Sequence, residues 1–211
     1  MDLFMLMLAI PLVSGALLTV VGERAWAPNL NIIASLGTFL AAALLTVEIV
    51  AAGPRFAFGE LFFIDSLNVF FVALTAFVGL TTSIFSGPYM RNEQEHGKLT
   101  APRLRLYKSM FQLFMFTMLA ALTTNNLGIL WVAMEAATLT TVLLVSLYRT
   151  PESIEAAWKY FILCGVGIAQ ALFGTVLIYF AAASKLGGDR EDTLLWTVLH
   201  GSAASNLDPA V

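Results

Sequence analysis

Charge is scarce in this chain: Asp, Glu, Lys and Arg make up 12% of its 211 residues, where a soluble domain carries roughly 25% because its surface needs them. With 59% hydrophobic residues and a mean hydropathy of +0.83, the solvent that suits this composition is lipid. Cysteine is scarcer still. Cys164 stands alone inside an apolar run, which excludes a disulfide framework and a thiolate set for zinc or an iron–sulfur cluster. Redox compartment is therefore unreadable from cysteine. His96 and His200 carry no metal-ligand spacing, so no metal site is expected. The net charge of −3, with both signs in short clusters, offers no basic face for nucleic acid. Gly-rich phosphate loops and nucleophile–base sets are missing too, so nothing points to a stand-alone enzyme, and no catalytic residue or cofactor is expected in this chain.

What the chain does have is long apolar runs. They lie at residues 3–21, 30–52, 66–86, 109–124, 127–148 and 157–183, each near the roughly 20 residues that a helix needs to cross ~30 Å of hydrocarbon. Lipid offers no partner to a free amide, and the runs are too long for barrel strands, so the expected fold is all-α: a polytopic bundle of about six transmembrane helices in the lipid bilayer. Residues 1–108 would hold three helices and a polar loop, 109–183 three more helices, and 184–211 an extracytoplasmic loop. The first run has a cleavage-like Ala25-Trp26-Ala27 after it, yet it starts with Asp2 and has no Lys or Arg before Arg24. It reads as a mature helix rather than a signal peptide. Thr123-Thr124-Asn125-Asn126 predicts a tight connection at the membrane surface.

Orientation follows from the Lys and Arg residues. Arg24, Arg91, Lys98, Arg103, Arg105, Lys108 and Arg149 fall in the loops after the first, third and fifth runs, against Arg55, Lys185 and Arg190 on the other side. The positive-inside rule places the first set in the cytoplasm and the N-terminus outside. The loop over residues 87–108 opens with Gly87-Pro88 and holds Glu93, Glu95 and His96. It is a solvated connector or a partner-docking surface.

Glu135 is the feature that a lipid-facing helix does not explain. It is the ninth residue from Leu127 in a 22-residue run to Tyr148, so it lies near mid-bilayer at ~1.5 Å per residue. An Asp at the centre of a span costs roughly 2.5 to 3.5 kcal/mol on insertion scales, so a carboxylate at that depth must be protonated, paired or wetted. Thr138 and Thr141 offer hydroxyls near by for water or a shared proton. The alternative is a protonated Glu135 that only holds the bundle together by an interhelical hydrogen bond. Lys159 is the second deep charge. Pro151-Glu152 fits a helix start, which puts Lys159 ~12 Å along that helix. There it either snorkels to the interface or is a desolvated amine that pairs with Glu135 or hands it protons.

The segment Trp131-Val132-Ala133-Met134-Glu135-Ala136-Ala137-Thr138-Leu139-Thr140-Thr141, with Glu155-Ala156-Ala157-Trp158-Lys159-Tyr160 after it, resembles the antiporter-like subunits of complex I and of Mrp-type cation/proton antiporters. The likeness is closest in appearance to hydrogenase-4 component F, from membrane-bound group 4 nickel–iron hydrogenases. It extends over Ile64-Asp65-Ser66-Leu67, Gly87-Pro88-Tyr89-Met90-Arg91, Thr124-Asn125-Asn126-Leu127 and Leu207-Asp208-Pro209.

That resemblance implies the N-terminal portion of a fourteen-helix antiporter-like fold, with the start of the first of two inverted five-helix repeats in residues 109–183. It implies a membrane subunit, in the cell inner (plasma) membrane, that takes part in moving protons while other subunits transfer electrons. Its partners would be the other membrane subunits of a complex I-like or hydrogenase complex. The family's essential acid of the fifth helix falls on Glu135, and a sixth-helix lysine of several members falls on Lys159. The family's seventh-helix lysine, its later histidine motifs and the second repeat would follow Val211, so half of a proton path is expected here. Two other functions stay open: a structural or assembly subunit with no ion path of its own, and an Mrp-type cation/proton antiporter subunit.

Overall fold

Backbone amides in hydrocarbon find partners only within the chain, so each apolar run closes its hydrogen bonds internally. A computed structural model of the chain describes residues 2–186 and 192–206. Six long helices follow one another: α1 (Asp2–Val21), α2 (Ala27–Ala52), α3 (Ser66–Glu95), α4 (Ala101–Thr123), α5 (Leu127–Val145) and α6 (Pro151–Leu186). Between α2 and α3 lies a hairpin of β1 (Arg55–Ala57) and β2 (Phe62–Ile64), with Arg55 opposite Ile64. Single 3-10 turns occupy Ser146–Tyr148 and Asp192–Leu194, and α7 (Trp196–Asn206) follows the second. All six long helices have the length and composition to cross a membrane. The chain is a multi-pass membrane protein.

Lipid tails are as apolar as leucine, so burial of apolar area does little to hold these helices to each other. Close packing and polar bonds must do it. α4 takes the central place, packed against α1, α3 and α5, while α2 lies on α1 and α3, and α6 lies along α5. Phe4, Met7, Leu45, Ile49, Val69, Val72 and Leu119 form the dry core of the first four helices. α1 and α4 approach closely because glycines line the seam. A Cβ on Gly22 would stand 2.7 Å from Arg105 Cγ, and the Gly22 carbonyl accepts from Lys108 Nζ at 2.9 Å. About two turns deeper along α1, Ser109 donates to the Gly15 carbonyl at 3.0 Å.

Side chains set several helix starts. Asp65 accepts from the amides of Leu67 at 3.0 Å and Asn68 at 2.8 Å, and Asn68 Oδ1 accepts from the Asp65 amide at 2.9 Å, a reciprocal cap for α3. Asn126 caps α5 through the amides of Gly128 and Ile129. Thr150 Oγ1 accepts from the Ser153 amide at the start of α6.

Two boundaries differ from the sequence expectation. The polar loop at 87–108 is mostly helix: α3 runs through Gly87-Pro88 to Glu95, α4 starts at Ala101, and only residues 96–100 connect them. Hydropathy marks where lipid contact ends, whereas a helix continues for as long as its backbone bonds close. Pro88 removes only the bond to the carbonyl four residues earlier. Nor is the connection a bare solvated strand, since Leu99, Leu104 and Leu147 form a small buried cluster under it. The segment 184–211, expected as a loop, contains α7. Arg190 and Leu207-Asp208-Pro209 lie outside the described residues.

The connections sort by side as six crossings require. The α1–α2 turn, the α3–α4 connection and the α5–α6 connection share one end, where Arg103 donates to the Tyr148 carbonyl at 3.2 Å. The hairpin, the α4–α5 turn and α7 share the other, held by Asn125. That residue donates from Nδ2 to the Glu60 carbonyl and to Thr197 Oγ1, both at 2.9 Å, and its Oδ1 accepts from the Thr197 amide at 3.1 Å.

Candidate functional site

The Asn126 cap fixes where α5 begins, and Glu135 follows eight residues after Leu127, roughly 12 Å along the axis at 1.5 Å per residue. Its side chain is half-buried between lipid and bundle. Among the described residues no hydrogen bond or ion pair reaches its carboxylate.

Two contacts set the register of α6 against α5. Trp131 Nε1 donates to the Ile168 carbonyl at 2.9 Å, and the Tyr160 hydroxyl lies beside Thr141. In antiparallel helices this brings Gly165 to the height of Glu135. A Cβ on Gly165 would meet nothing within 4 Å, so no side chain of α5 packs against it.

The hydroxyls near Glu135 are committed elsewhere. Thr138 donates to the Met134 carbonyl at 3.1 Å and Thr141 to the Ala137 carbonyl at 2.8 Å, both back onto α5. Their oxygens keep acceptor capacity, but their protons are engaged with the backbone. They can accept from a water beside Glu135 without taking its proton.

Lys159 lies elsewhere. Its Nζ pairs with Glu155 one turn earlier on α6, and both side chains are exposed, at 70% and 65%. No ion pair joins it to Glu135 among the described residues. Tyr160, next to Lys159, faces Thr141, which is six residues beyond Glu135. The two charges therefore differ in height by roughly 9 Å. Glu155 is the residue that the sequence reading missed here; the i,i+4 spacing was its signal.

Sequence reasoning also missed the polar knot inside the first four helices. Gln112 on α4 is fully buried, and its Nε2 donates to Asn31 Oδ1 at 2.9 Å and Ser35 Oγ at 3.0 Å on α2. Among the described residues its Oε1 has no partner. The signal was a glutamine inside an apolar run. Among the described residues no set of three His, Cys, Asp or Glu side chains gathers in metal-holding geometry.

Comparison with known proteins agrees with this architecture. The sequence pattern of the family described as NADH:quinone oxidoreductase/Mrp antiporter, TM, matches residues 124–193, a stretch that contains Glu135 and Lys159. A hydrogenase-4 component F homolog of Methylacidiphilum infernorum (isolate V4) is 51% identical over 146 residues, which cover 69% of this chain and 30% of that protein. The chain thus spans less than a third of that relative's length. Among solved structures, a chain of the membrane-bound sulfane sulfur reductase, an archaeal respiratory membrane complex, superposes with a TM-score of 0.73 at 23% identity, covering 87% of this chain and 38% of the other. A chain of respiratory complex I from Thermus thermophilus with bound aureothin gives 0.58 at 26% identity, covering 83% and 36%. A mid-membrane glutamate on the fifth of six spans, the family's sequence pattern around it and the shared fold lead to one assignment: the chain belongs to the NADH:quinone oxidoreductase/Mrp antiporter family of membrane subunits.

Proposed function

We propose that the chain serves as a membrane subunit of a respiratory or hydrogenase complex, of the NADH-quinone oxidoreductase or hydrogenase-4 kind, and takes part in proton translocation driven by electron transfer in other subunits. The observation that carries this reading is Glu135: a half-buried carboxyl deep in α5, free of any salt bridge among the described residues. A group so placed exchanges its proton with little rearrangement. Carboxyl groups in general bind a proton more tightly in lipid than beside water or a cation. A conformational change that alternates those surroundings moves a proton.

Lys159 is proposed as the second station, on the cytoplasmic side. Release of its surface pair with Glu155 would let the long side chain swing toward the level of Glu135. Thr138 and Thr141 would hold water between them. The names of the relatives support other membrane subunits as partners, since the aligned chains come from multi-subunit respiratory complexes. The seven-to-three distribution of Lys and Arg supports an N-terminus on the outer side of the plasma (inner) membrane.

The test is Glu135→Gln in the assembled complex, with Glu135→Asp beside it, followed in inverted vesicles by a pH-sensitive dye and by the rate of the redox reaction. The expected result is loss of proton uptake in Glu135→Gln with the subunit still present in the membrane, and partial uptake in Glu135→Asp. Full pumping by Glu135→Gln would reduce Glu135 to a structural hydrogen bond and overturn the proposal.

A further inference from the structure

The positive-rich end of the bundle closes around a cavity of about 430 Å³ where the α1–α2 turn, the end of α3 and the start of α4 meet. It is separate from Glu135. Arg24, Arg91 and Lys108 line it, together with Glu23, Asn31 and Gln94. Glu23 is answered from outside the lining by Arg105 at 3.0 Å, so it does not neutralise the three cations. Lys108 is steered by the Gly22 carbonyl, a neutral acceptor. Arg24 lies 6.0 Å from the centre of the Trp26 ring. Among the described residues no carboxylate pairs with Arg24, Arg91 or Lys108.

Helix ends add to the field. The first residues of α2 and α4 reach the cavity through Pro28 and Ala101, and neither Trp26 nor Thr100 caps its helix with a side chain. Each helix start carries about half a positive charge, although Pro28 and Pro102 have no amide proton and the Ala27 amide donates to the Arg24 carbonyl. Three cations and two helix starts around one cavity need an anion. The volume is many times the ~30 Å³ share of a liquid water, which leaves room for more than a simple ion. Arginine forks match the oxygens of a phosphate.

We infer that this cavity binds a phosphate group, supplied by the headgroup of an anionic phospholipid. The cavity stands at the edge of the spans, and the chain offers acyl tails a surface there. Phe85, next to the lining residue Ser86, is 76% exposed, and Trp26 is 44% exposed. An amphipathic indole at that height fits the headgroup region.

The experiment places the whole chain in nanodiscs that contain phosphatidylglycerol, phosphatidylcholine or both, and counts retained lipid by native mass spectrometry. The wild type should keep phosphatidylglycerol in preference. The double variant Arg24→Gln/Arg91→Gln should lose that preference by at least about tenfold, a change of ~1.4 kcal/mol. Arg55→Gln, on the opposite side, should keep it. A second arm adds millimolar inorganic phosphate: no displacement assigns the site to lipid, and displacement assigns the same phosphate site to a soluble source. Equal retention of both lipids by the wild type together with no phosphate binding would overturn the inference, and the wild-type arm decides this even if the double variant does not fold. Undiminished preference in a folded Arg24→Gln/Arg91→Gln chain would overturn it as well.

Discussion

Gln112 on α4 grips Asn31 on α2 twice, its Nε2 donating to the backbone carbonyl at 3.1 Å and to Oδ1 at 2.9 Å. Both residues are buried. Gln112→Leu would leave the Asn31 oxygens and the Ser35 hydroxyl buried without their donor. A loss of about 1–3 kcal/mol is expected, read as an earlier midpoint in SDS titration of the purified chain. Asn31→Ala should cost less, because Ser35 Oγ remains as an acceptor. An unchanged midpoint for Gln112→Leu would show that the knot does not hold α2 to α4.

Gly22→Ala tests the seam between α1 and α4. Its Cβ would meet the Leu18 carbonyl at 2.4 Å and Arg105 Cγ at 2.7 Å. The Arg105 side chain can move, but the carbonyl is backbone. Overpacking of this kind costs about 1–3 kcal/mol. The Lys108 bond to the Gly22 carbonyl should lengthen with it, so the melting temperature in detergent should fall. Gly165→Ala, where an added Cβ meets nothing, should leave the melting temperature unchanged and serve as the control.

Asn125→Ala should loosen the hairpin end of the bundle selectively. The variant loses the bonds to Glu60 and Thr197 but keeps its backbone amide on Leu61 and its carbonyl on the Trp196 amide. Hydrogen exchange at the Thr197 amide should therefore quicken, while the Trp196 amide stays protected. Equal protection at both positions in the variant would show that the Asn125 side chain does not pin α7.

Lys159→Gln separates a role in transport from a role in stability. The pair with Glu155 is exposed on both sides, and such i,i+4 pairs contribute only about 0.3–0.5 kcal/mol. The unfolding midpoint should hardly move. Loss of proton uptake at unchanged midpoint and subunit level would then belong to Lys159 as a station; full uptake would remove it from the path.

For orientation, single cysteines at Asn92 and Arg55 in a Cys164→Ser background should be labelled from opposite faces of sealed vesicles, Asn92 from the cytoplasmic one. Labelling of both from one face would sink the proposed topology.

Much of this was legible because depth in a membrane is written in one dimension. The number of spans followed from run length, and Glu135 stood out because nothing else acidic lies as deep. Several of the short motifs turn out to be local structure: Asp65 is the cap of α3, Asn126 the cap of α5, and Trp131 the donor that seats α5 on α6. The hairpin Arg55–Ile64 was not legible, since strands of three residues are too short for a period to show. Nor was the choice of partner for Lys159. A chain of residues tells how far along a helix a charge sits, whereas the direction it faces depends on how α6 is rotated against α5.

The central place of α4 has a consequence for how the protein is made. It is the least apolar of the six spans and the most enclosed, and Ser109 and Gln112 spend their polar groups on α1 and α2. Lipid alone holds such a segment weakly. Its partners α1 and α2 precede it in the chain and are strongly apolar, so they are already in the bilayer when α4 leaves the ribosome. The insertion of α4 is then a binding event against helices that wait for it, and translation order becomes part of what the fold requires.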